Sequence, residues 1–387
     1  MKIESIKNNS FYNSRVIVRA DFNVPLESGK VADDFKIRRT IPTINLLKKK
    51  GAKIILISHL GRPQKIKKKK LYSLKPVKKR LEELLGEKII FSSKLKGKRL
   101  EIRTKRLKPG KIILLENLRF DKGEEKNNKK FTKKLSALGD CYVNEAFSVS
   151  HRSHASIVGL PEIMPHFAGL DFEKELDSLS KINNPKRPLT IIIGGAKIAS
   201  KIKGIRSLLK IADHIIIGGL VADVILRVKG IRLGKPWPDE ETIENIRKIE
   251  ITNPKIHLPV DVLASPEKGD DYVRESALGS LMKEEKICDI GEETIKTFSG
   301  ILEESKTIFW AGPLGIFEDK RFSRGTREIA EVVSDQQHTF KVAGGGDTIR
   351  AIRDFGLEEK FSFISMAGSA MLRYLSGEEM PGLEALK

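Results

Sequence analysis

Short runs of β-branched and aliphatic residues recur along the chain, each ending in Gly, Asn, Asp or His and each followed by a longer amphipathic stretch. They are RVIVRADFN from residue 15, KIILISHLGRP from 53, KIILLENLRF from 111, CYVNEAF from 141 and LTIIIGGAK from 189. HIIIGGL from 214, IHLPVDV from 256, TIFWAGPLG from 307, FKVAGGGDT from 340 and FSFISMAGS from 361 complete the set. Without polar alternation these runs predict strands buried on both faces, hence parallel strands covered by helices. Four units lie before residue 160 and six after 187, and LDFEKELDSLSKI at 170–182 reads as one amphipathic helix stopped by Asn183-Asn184-Pro185. The pattern predicts an α/β fold: two doubly wound parallel-sheet (Rossmann-like) domains facing a central cleft, joined by a helix. The expected boundaries are 1–167, a linking helix at 168–186, 187–374, and a tail at 375–387 packing back on the N-terminal domain. Ligands of such sheets sit at the carboxyl ends of the strands. In this chain those ends hold nearly all the unusual polar residues and glycines.

Composition narrows the class. The 387 residues, 40% apolar and 32% charged, describe a folded globular chain. Cys141 and Cys288 alone make no disulfide framework and fit no zinc-ligand spacing, so a reducing cytoplasm is the expected location. No apolar stretch reaches the length of a signal peptide or a membrane span. Lys and Arg number 72 against 51 Asp and Glu, a net charge of +21 that favours polyanions of any kind. The densest basic runs, residues 65–70 and 94–111, carry little aromatic content beyond Tyr72 and Phe91, so specific nucleic-acid binding is not expected.

Two glycine-rich turns carry candidate chemistry. In IIIGGAKIASKIK at 191–203, Lys197 and Lys201 are four apart on one face of a helix start. Stability alone disfavours cations there, but an anion clamped between the helix end and two ammonium groups explains them. VAGGGDTIR at 342–350 lets backbone N–H groups approach a phosphate, with Asp347 placed to hold magnesium. A plain Asp-capped turn explains those residues equally well. Arg19, His59, Arg62, Arg119, His151, Arg152 and His154 crowd the strand ends of the first half, with Lys36 and Arg38 nearby. Converging, they form a site for a small polyanion, which Asp21 and Asn23 would bind through its hydroxyl groups. His151-x-x-His154 lacks a third ligand and is not read as a metal site.

Taken together, these motifs resemble phosphoglycerate kinase, nearly end to end and in order. The resemblance rests on RADFNVP at 19–25, DDFKIRRTIPTI at 33–44, SHLGRP at 58–63, LLENLRF at 114–120 and NEAF…HRSHAS at 144–156. GGAKI…K at 194–201, GPLGIFE at 312–318, GGGDT at 344–348 and PGLEAL at 381–386 continue it. It implies reversible phosphoryl transfer from 1,3-bisphosphoglycerate to MgADP, giving 3-phosphoglycerate and MgATP, by a monomer that closes about a hinge. By resemblance Asp21, Asn23, His59, Arg62, Arg119 and Arg152 bind the glycerate. Lys36 or Arg38 supplies the charge-stabilising cation, and Lys197 accompanies the transferring phosphoryl. Lys201, Gly345, Gly346 and Thr348 meet the nucleotide phosphates, Asp347 its Mg2+, Glu318 the ribose, and Gly194, Gly195, Gly218, Gly219 and Pro313 the adenine.

The chain departs from the family pattern at several of these places. Lys36 stands where the family has its catalytic arginine, keeping the charge but losing the planar fork. Ala311 stands for Asn, Ser148-Val149-Ser150 for Gly-Thr-Ala, Ser200 for an Asp, and Ser365-Met366-Ala367-Gly368-Ser369 for Ser-Thr-Gly-Gly-Gly. A degenerate ligand-binding paralogue serving as regulator or scaffold, or a polyanion-binding protein, are the alternative readings.

Overall fold

The computed structural model describes residues 3–63, 69–196, 198–231, 233, 238–266 and 272–387. The chain divides into two compact units, Met1–Asp177 with Glu379–Lys387, and Ser178–Glu378.

In the first unit, β1 (Arg15–Ala20) is followed by a small hairpin, β2 (Leu26–Glu27) and β3 (Lys30–Val31), and then by β4 (Lys53–Ile57). Next come β5 (Ile90–Ser92), β6 (Ile112–Leu115), β7 (Cys141–Glu145) and β8 (His166–Ala168). Six of these form one parallel sheet in the order β5-β6-β4-β1-β7-β8. Val16, Val18, Ile54, Leu56, Ile112 and Leu114 pack into one core with Ile37, Ile44 and Leu47 of the helix Phe35–Lys49. Their strand neighbours Ile17, Ile55 and Ile113 are equally buried outside that cluster. Both faces are therefore covered, which is why the runs lack polar alternation.

The second unit repeats the plan. β9 (Leu189–Ile193), β10 (His214–Ile217) and β11 (Ile256–His257) lie on one side. An antiparallel three-stranded sheet of β12 (Asp261–Pro266), β13 (Arg274–Ala277) and β14 (Glu285–Ile290) follows. β15 (Thr307–Ala311), β16 (Phe340–Gly344) and β17 (Phe363–Ser365) then complete a parallel sheet in the order β11-β10-β9-β15-β16-β17.

The α/β class with two parallel sheets matches the sequence reading, with one correction. IHLPVDV is not a single buried strand: β11 ends at His257 and Asp261 opens β12 of the antiparallel sheet. Pro259, between them, cannot donate to a central ladder. The antiparallel sheet and the short strands β5 and β8 were not anticipated. One helix runs Leu170–Asn183, its first-turn Asp171 N–H donating to Glu145 Oε1 at 3.1 Å. In the tail, Gly382 N–H donates to Ser150 O at 2.7 Å. No described helix is long and apolar enough to cross a membrane.

In each sheet the chain leaves the first strand in one direction and later returns to its other side, between β1 and β7 and between β9 and β15. These switch points open crevices beyond the strands' carboxyl ends.

Candidate functional sites

Beyond β1 and β7 the structure gathers cations on a buried acidic support. Arg19, wholly buried at the end of β1, donates through Nε to Ser156 Oγ at 2.9 Å. A second guanidinium nitrogen lies 3.0 Å from His59 Nδ1. A guanidinium only donates, so Nδ1 accepts and His59 is neutral with its proton on Nε2. Burial first, then Arg19, Arg119 and Lys36, hold this imidazole well below its ordinary range. The Ser156 hydroxyl donates to Glu124 Oε1 at 2.6 Å, and its N–H donates to Glu124 Oε2 at 3.1 Å. Glu124 is completely buried, and burial raises its carboxyl although Arg19 and the Ser156 hydrogen bonds oppose the rise.

Asn117 caps the short turn after β6 by accepting from Arg119 N–H at 3.0 Å, which turns the Arg119 side chain inward. Arg119 is 3% exposed and donates to Gly61 O at 2.6 Å. Among the described residues one of its terminal nitrogens has no hydrogen-bond partner. Burial, then Arg152, push its guanidinium down to about 10. The Gly61 N–H in turn donates to Asn23 Oδ1 at 2.8 Å, so the backbone of one residue ties Asn23 to Arg119. Gly61 manages this with φ of +57°, a left-handed backbone that disfavours a side chain. Arg152, lowered by burial and then by Arg62, donates to His151 Nε2 at 3.2 Å. His154 is pushed down to about 3 by burial, then by Arg119, Arg19 and Arg152. Arg62 is exposed on the same strand-end loop as His59. Groups that raise each other's cost of protonation in this way form a field that an arriving anion relieves.

Asp21 sits at the end of β1. Its Oδ2 accepts from Lys36 Nζ at 2.6 Å and Ser148 Oγ at 2.5 Å, and its Oδ1 accepts from Asn23 N–H at 3.1 Å. Burial would raise its carboxyl, but the Lys36 charge and the hydrogen bonds from Lys36, Ser148 and Asn23 leave it below its ordinary value. The structure does not bring Arg38 into this cluster. Two residues along a helix is about 200° of rotation, which turns the side chain to the opposite face. There Arg38 Nε donates to Asp34 Oδ1 at 2.8 Å.

The second unit builds its site from backbone. Gly194 follows β9 and Gly218 follows β10; a Cβ on Gly194 would lie 2.1 Å from Pro313 O, and one on Gly218 would lie 2.5 Å from Leu314 Cδ2. Glycine at both positions lets the 312–314 loop lie directly on the ends of β9 and β10. Gly219 N–H donates to Leu314 O at 3.1 Å and closes the seam. Against this seam lies a cavity of about 420 Å3 lined by Gly195, Gly219, Pro313, Glu318 and Asp347 among the expected residues. Leu220, Ile287, Leu314 and Phe317 give it apolar walls. Its size and walls suit a flat heteroaromatic ring. Gly345, with φ of +93°, precedes the helix Gly346–Asp354, whose first turn carries Asp347 and Thr348.

Four expected residues have other arrangements. Gly194 and Gly218 serve the packing beneath the cavity and are absent from its lining. The Thr348 hydroxyl is buried and accepts from Gly312 N–H at 2.6 Å, fixing the 312–314 loop. Lys201, on the helix Ile198–Leu208, donates to Gly194 O. Lys197, and residues 65–68 of the first basic run, lie outside the described residues. Glu124 and the apolar cavity walls escaped the sequence reading. Leu220, Ile287 and Phe317 look like core in a linear sequence, and only the topology separates them from it.

Comparison with known proteins agrees with this picture over the whole chain. A family model described as phosphoglycerate kinase matches residues 6–378. Phosphoglycerate kinase of Coprothermobacter proteolyticus is 41% identical over 392 residues, covering 100% of this chain and 99% of that one. The Borreliella afzelii protein of the same name is 42% identical over 398 residues, with both chains fully covered. The structure of phosphoglycerate kinase from Coxiella burnetii superposes with a TM-score of 0.87 at 34% identity, covering 100% of this chain and 99% of that one. That of Pyrococcus horikoshii gives 0.87 at 31%, covering 99% and 98%. Similarity at this level along nearly every residue leaves a single assignment, and the chain belongs to the phosphoglycerate kinase family.

Proposed function

We propose that the chain catalyses reversible phosphoryl transfer between 1,3-bisphosphoglycerate and MgADP, yielding 3-phosphoglycerate and MgATP. The observation that carries this reading is Arg119 at the carboxyl edge of a parallel sheet: its buried guanidinium pairs through Nε with Glu125 at 3.2 Å, yet one terminal nitrogen has no hydrogen-bond partner among the described residues and Arg152 and Arg19 crowd it. Such a group is costly unless an anion completes it.

In this reading Arg62, Arg119 and Arg152 hold the non-transferred phosphate, with neutral His59 as a further N–H donor. Asp21 and Asn23 fix the glycerate hydroxyl and carboxyl region. The cavity beside Pro313 takes the adenine and Glu318 the ribose. The N-terminus of the helix Gly346–Asp354, with Lys201, takes the phosphates. A single carboxylate at a helix start suits a magnesium ion that keeps water and phosphate oxygens as its other ligands, so Asp347 fits that role. Magnesium, when bound with the nucleotide, neutralises charge on the phosphate oxygens. Lys36 and Lys197 stabilise charge on the transferring group. Hinge closure brings acceptor and donor in line and excludes water.

Turnover with 3-phosphoglycerate and MgATP, coupled to NADH oxidation through glyceraldehyde-phosphate dehydrogenase, tests the reading. Lys197→Ala is expected to lower kcat by about a hundred- to a thousand-fold. Lys36→Ala is expected to lower kcat far more than substrate affinity. Absence of turnover, with both ligands still bound, would overturn the enzymatic reading in favour of a scaffold.

A further inference from the structure

We propose that Ser148 is a positioning residue for phosphoryl transfer, holding the Asp21 carboxylate so that the single ammonium of Lys36 is fixed in place. The proposal rests on the reading of Asp21 and Lys36 as groups that meet the glycerate and the transferring phosphoryl.

Each carboxylate oxygen has about two acceptor sites. On Asp21, Oδ2 takes the Ser148 hydroxyl at 2.5 Å and the Lys36 ammonium at 2.6 Å, while Oδ1 takes the Asn23 N–H at 3.1 Å. Three elements therefore converge on one carboxylate: the end of β1, the first turn of the helix Phe35–Lys49, and the loop after β7. A lysine ammonium is a point charge on a flexible stem and does not orient itself as a guanidinium fork does. Its direction has to come from what it touches. With Ser148 occupying the neighbouring site on the same oxygen, Asp21 cannot swing about its side-chain torsion, and the Lys36 Nζ it anchors cannot follow. Ser148 is partly buried and among the described residues its hydroxyl donates to Asp21 alone, so this contact accounts for its orientation.

The cation and the hydroxyl act through one atom, so their effects on catalysis must be coupled. Ser148→Ala is expected to lower kcat roughly tenfold, the worth of one hydrogen bond to a charged group, with a smaller change in KM for 3-phosphoglycerate. In a Lys36→Ala background the same substitution is expected to change kcat less than about twofold, well inside the range that marks coupling. Ser148→Thr, which keeps the hydroxyl, is expected to restore turnover. A purely structural role would instead lower kcat by the same factor in both backgrounds, or be equally disturbed by Thr. Additive effects, or full activity of Ser148→Ala, would overturn the proposal. Asp21→Ala, with 3-phosphoglycerate affinity read by calorimetry, separates the two levels. If it weakens binding while Ser148→Ala does nothing, the positioning role alone fails. If Asp21→Ala binds 3-phosphoglycerate as the parent does, the site reading fails and the positioning role with it.

Discussion

At the carboxyl edge of the first sheet the groups on offer are side chains: Arg19, His59, Arg119 and Arg152, braced by Glu124 and Ser156. At the equivalent edge of the second sheet they are mostly backbone, with Gly194, Gly218 and Gly219 letting loops touch beside an apolar cavity. The same sheet topology thus supports two recognition strategies. A small, highly charged ligand offers little surface, so affinity has to come from charge-assisted hydrogen bonds at fixed positions. A larger ligand with a flat ring offers area, so shape and close backbone approach suffice. The first strategy stores its cost in cations that repel one another before the ligand arrives. The second stores it in glycines at which a Cβ would run into neighbouring backbone or a packed side chain.

That difference can be broken most sharply at Arg119. Arg119→Ala is expected to cost about 2–5 kcal/mol of 3-phosphoglycerate affinity, the usual loss when one partner of a desolvated charge pair is truncated. Nucleotide affinity is expected to hold, and the unfolding midpoint of the ligand-free protein is expected to move little, because repulsion from Arg152 and Arg19 is removed together with the Gly61 contact and the Glu125 ion pair. Calorimetry with each ligand and denaturant unfolding would check all three. Gly194→Ala should behave in the opposite way. Its Cβ would meet Pro313 O at 2.1 Å, and backbone cannot rotate aside. A loss of about 1–3 kcal/mol in stability is expected, with nucleotide binding weakened alongside and 3-phosphoglycerate binding spared. If Gly194→Ala kept both stability and nucleotide affinity, the cavity wall would not depend on that approach.

The two strategies were not equally legible in the sequence. Strand ends marked by Arg, His and Asp announce a charged site, and the runs at 15, 53, 111 and 141 all became strands ending at it. Its support was hidden. Glu124 lies in a lysine-rich stretch, and nothing local says that it is fully buried against Ser156. Arg38 is the reverse case, since helical rotation alone excludes it from the face that carries Lys36. In the second unit the glycines announced a site, but not which of them line it and which lie beneath it. That distinction depends on contacts between Gly194 and Pro313, more than a hundred residues apart. The antiparallel sheet was lost for the same reason, since β12 pairs with β14 across a gap in sequence that periodicity does not span.

Folding suppresses an ionisation in each unit, and two of the groups have opposite signs. His154 is held neutral, at about 3, in the first unit, and Asp289 of the second is raised to about 7 by burial against its hydrogen bonds from Gly325 and Ile290 N–H. For the histidine, whose folded value is depressed, stability is present above its ordinary 6.5 and lost as pH falls toward 3. For the aspartate, whose folded value is raised, stability is present below 3.8 and lost as pH rises toward 7. Each contributes a slope of at most about 1.4 kcal/mol per pH unit, with opposite signs. Because the two windows overlap, unfolding free energies measured from pH 4 to 8 should change slope in opposite senses between about pH 4 and 6.5, rising less with pH in His154→Asn and more in Asp289→Asn than in the parent. Slopes parallel to the parent in both variants would show that neither group is held as described.

The smallest expected effect separates a phosphate ligand from a brace. Thr348 stands in the glycine-rich turn where a hydroxyl would meet phosphate, yet its Oγ1 accepts from Gly312 N–H at 2.6 Å in a buried setting. Thr348→Val removes that acceptor and strands a buried N–H, at a cost of about 1 kcal/mol or somewhat more in stability. Thr348→Ser keeps the acceptor and should lose less. If the hydroxyl only braces the 312–314 loop, nucleotide affinity should fall in step with stability through the series Thr, Ser, Val. If it also binds phosphate, Val should lose affinity beyond its stability loss, and the loss should be greater for ATP than for adenosine. A match between the adenosine and ATP losses would make this turn a continuation of the backbone strategy rather than an exception to it.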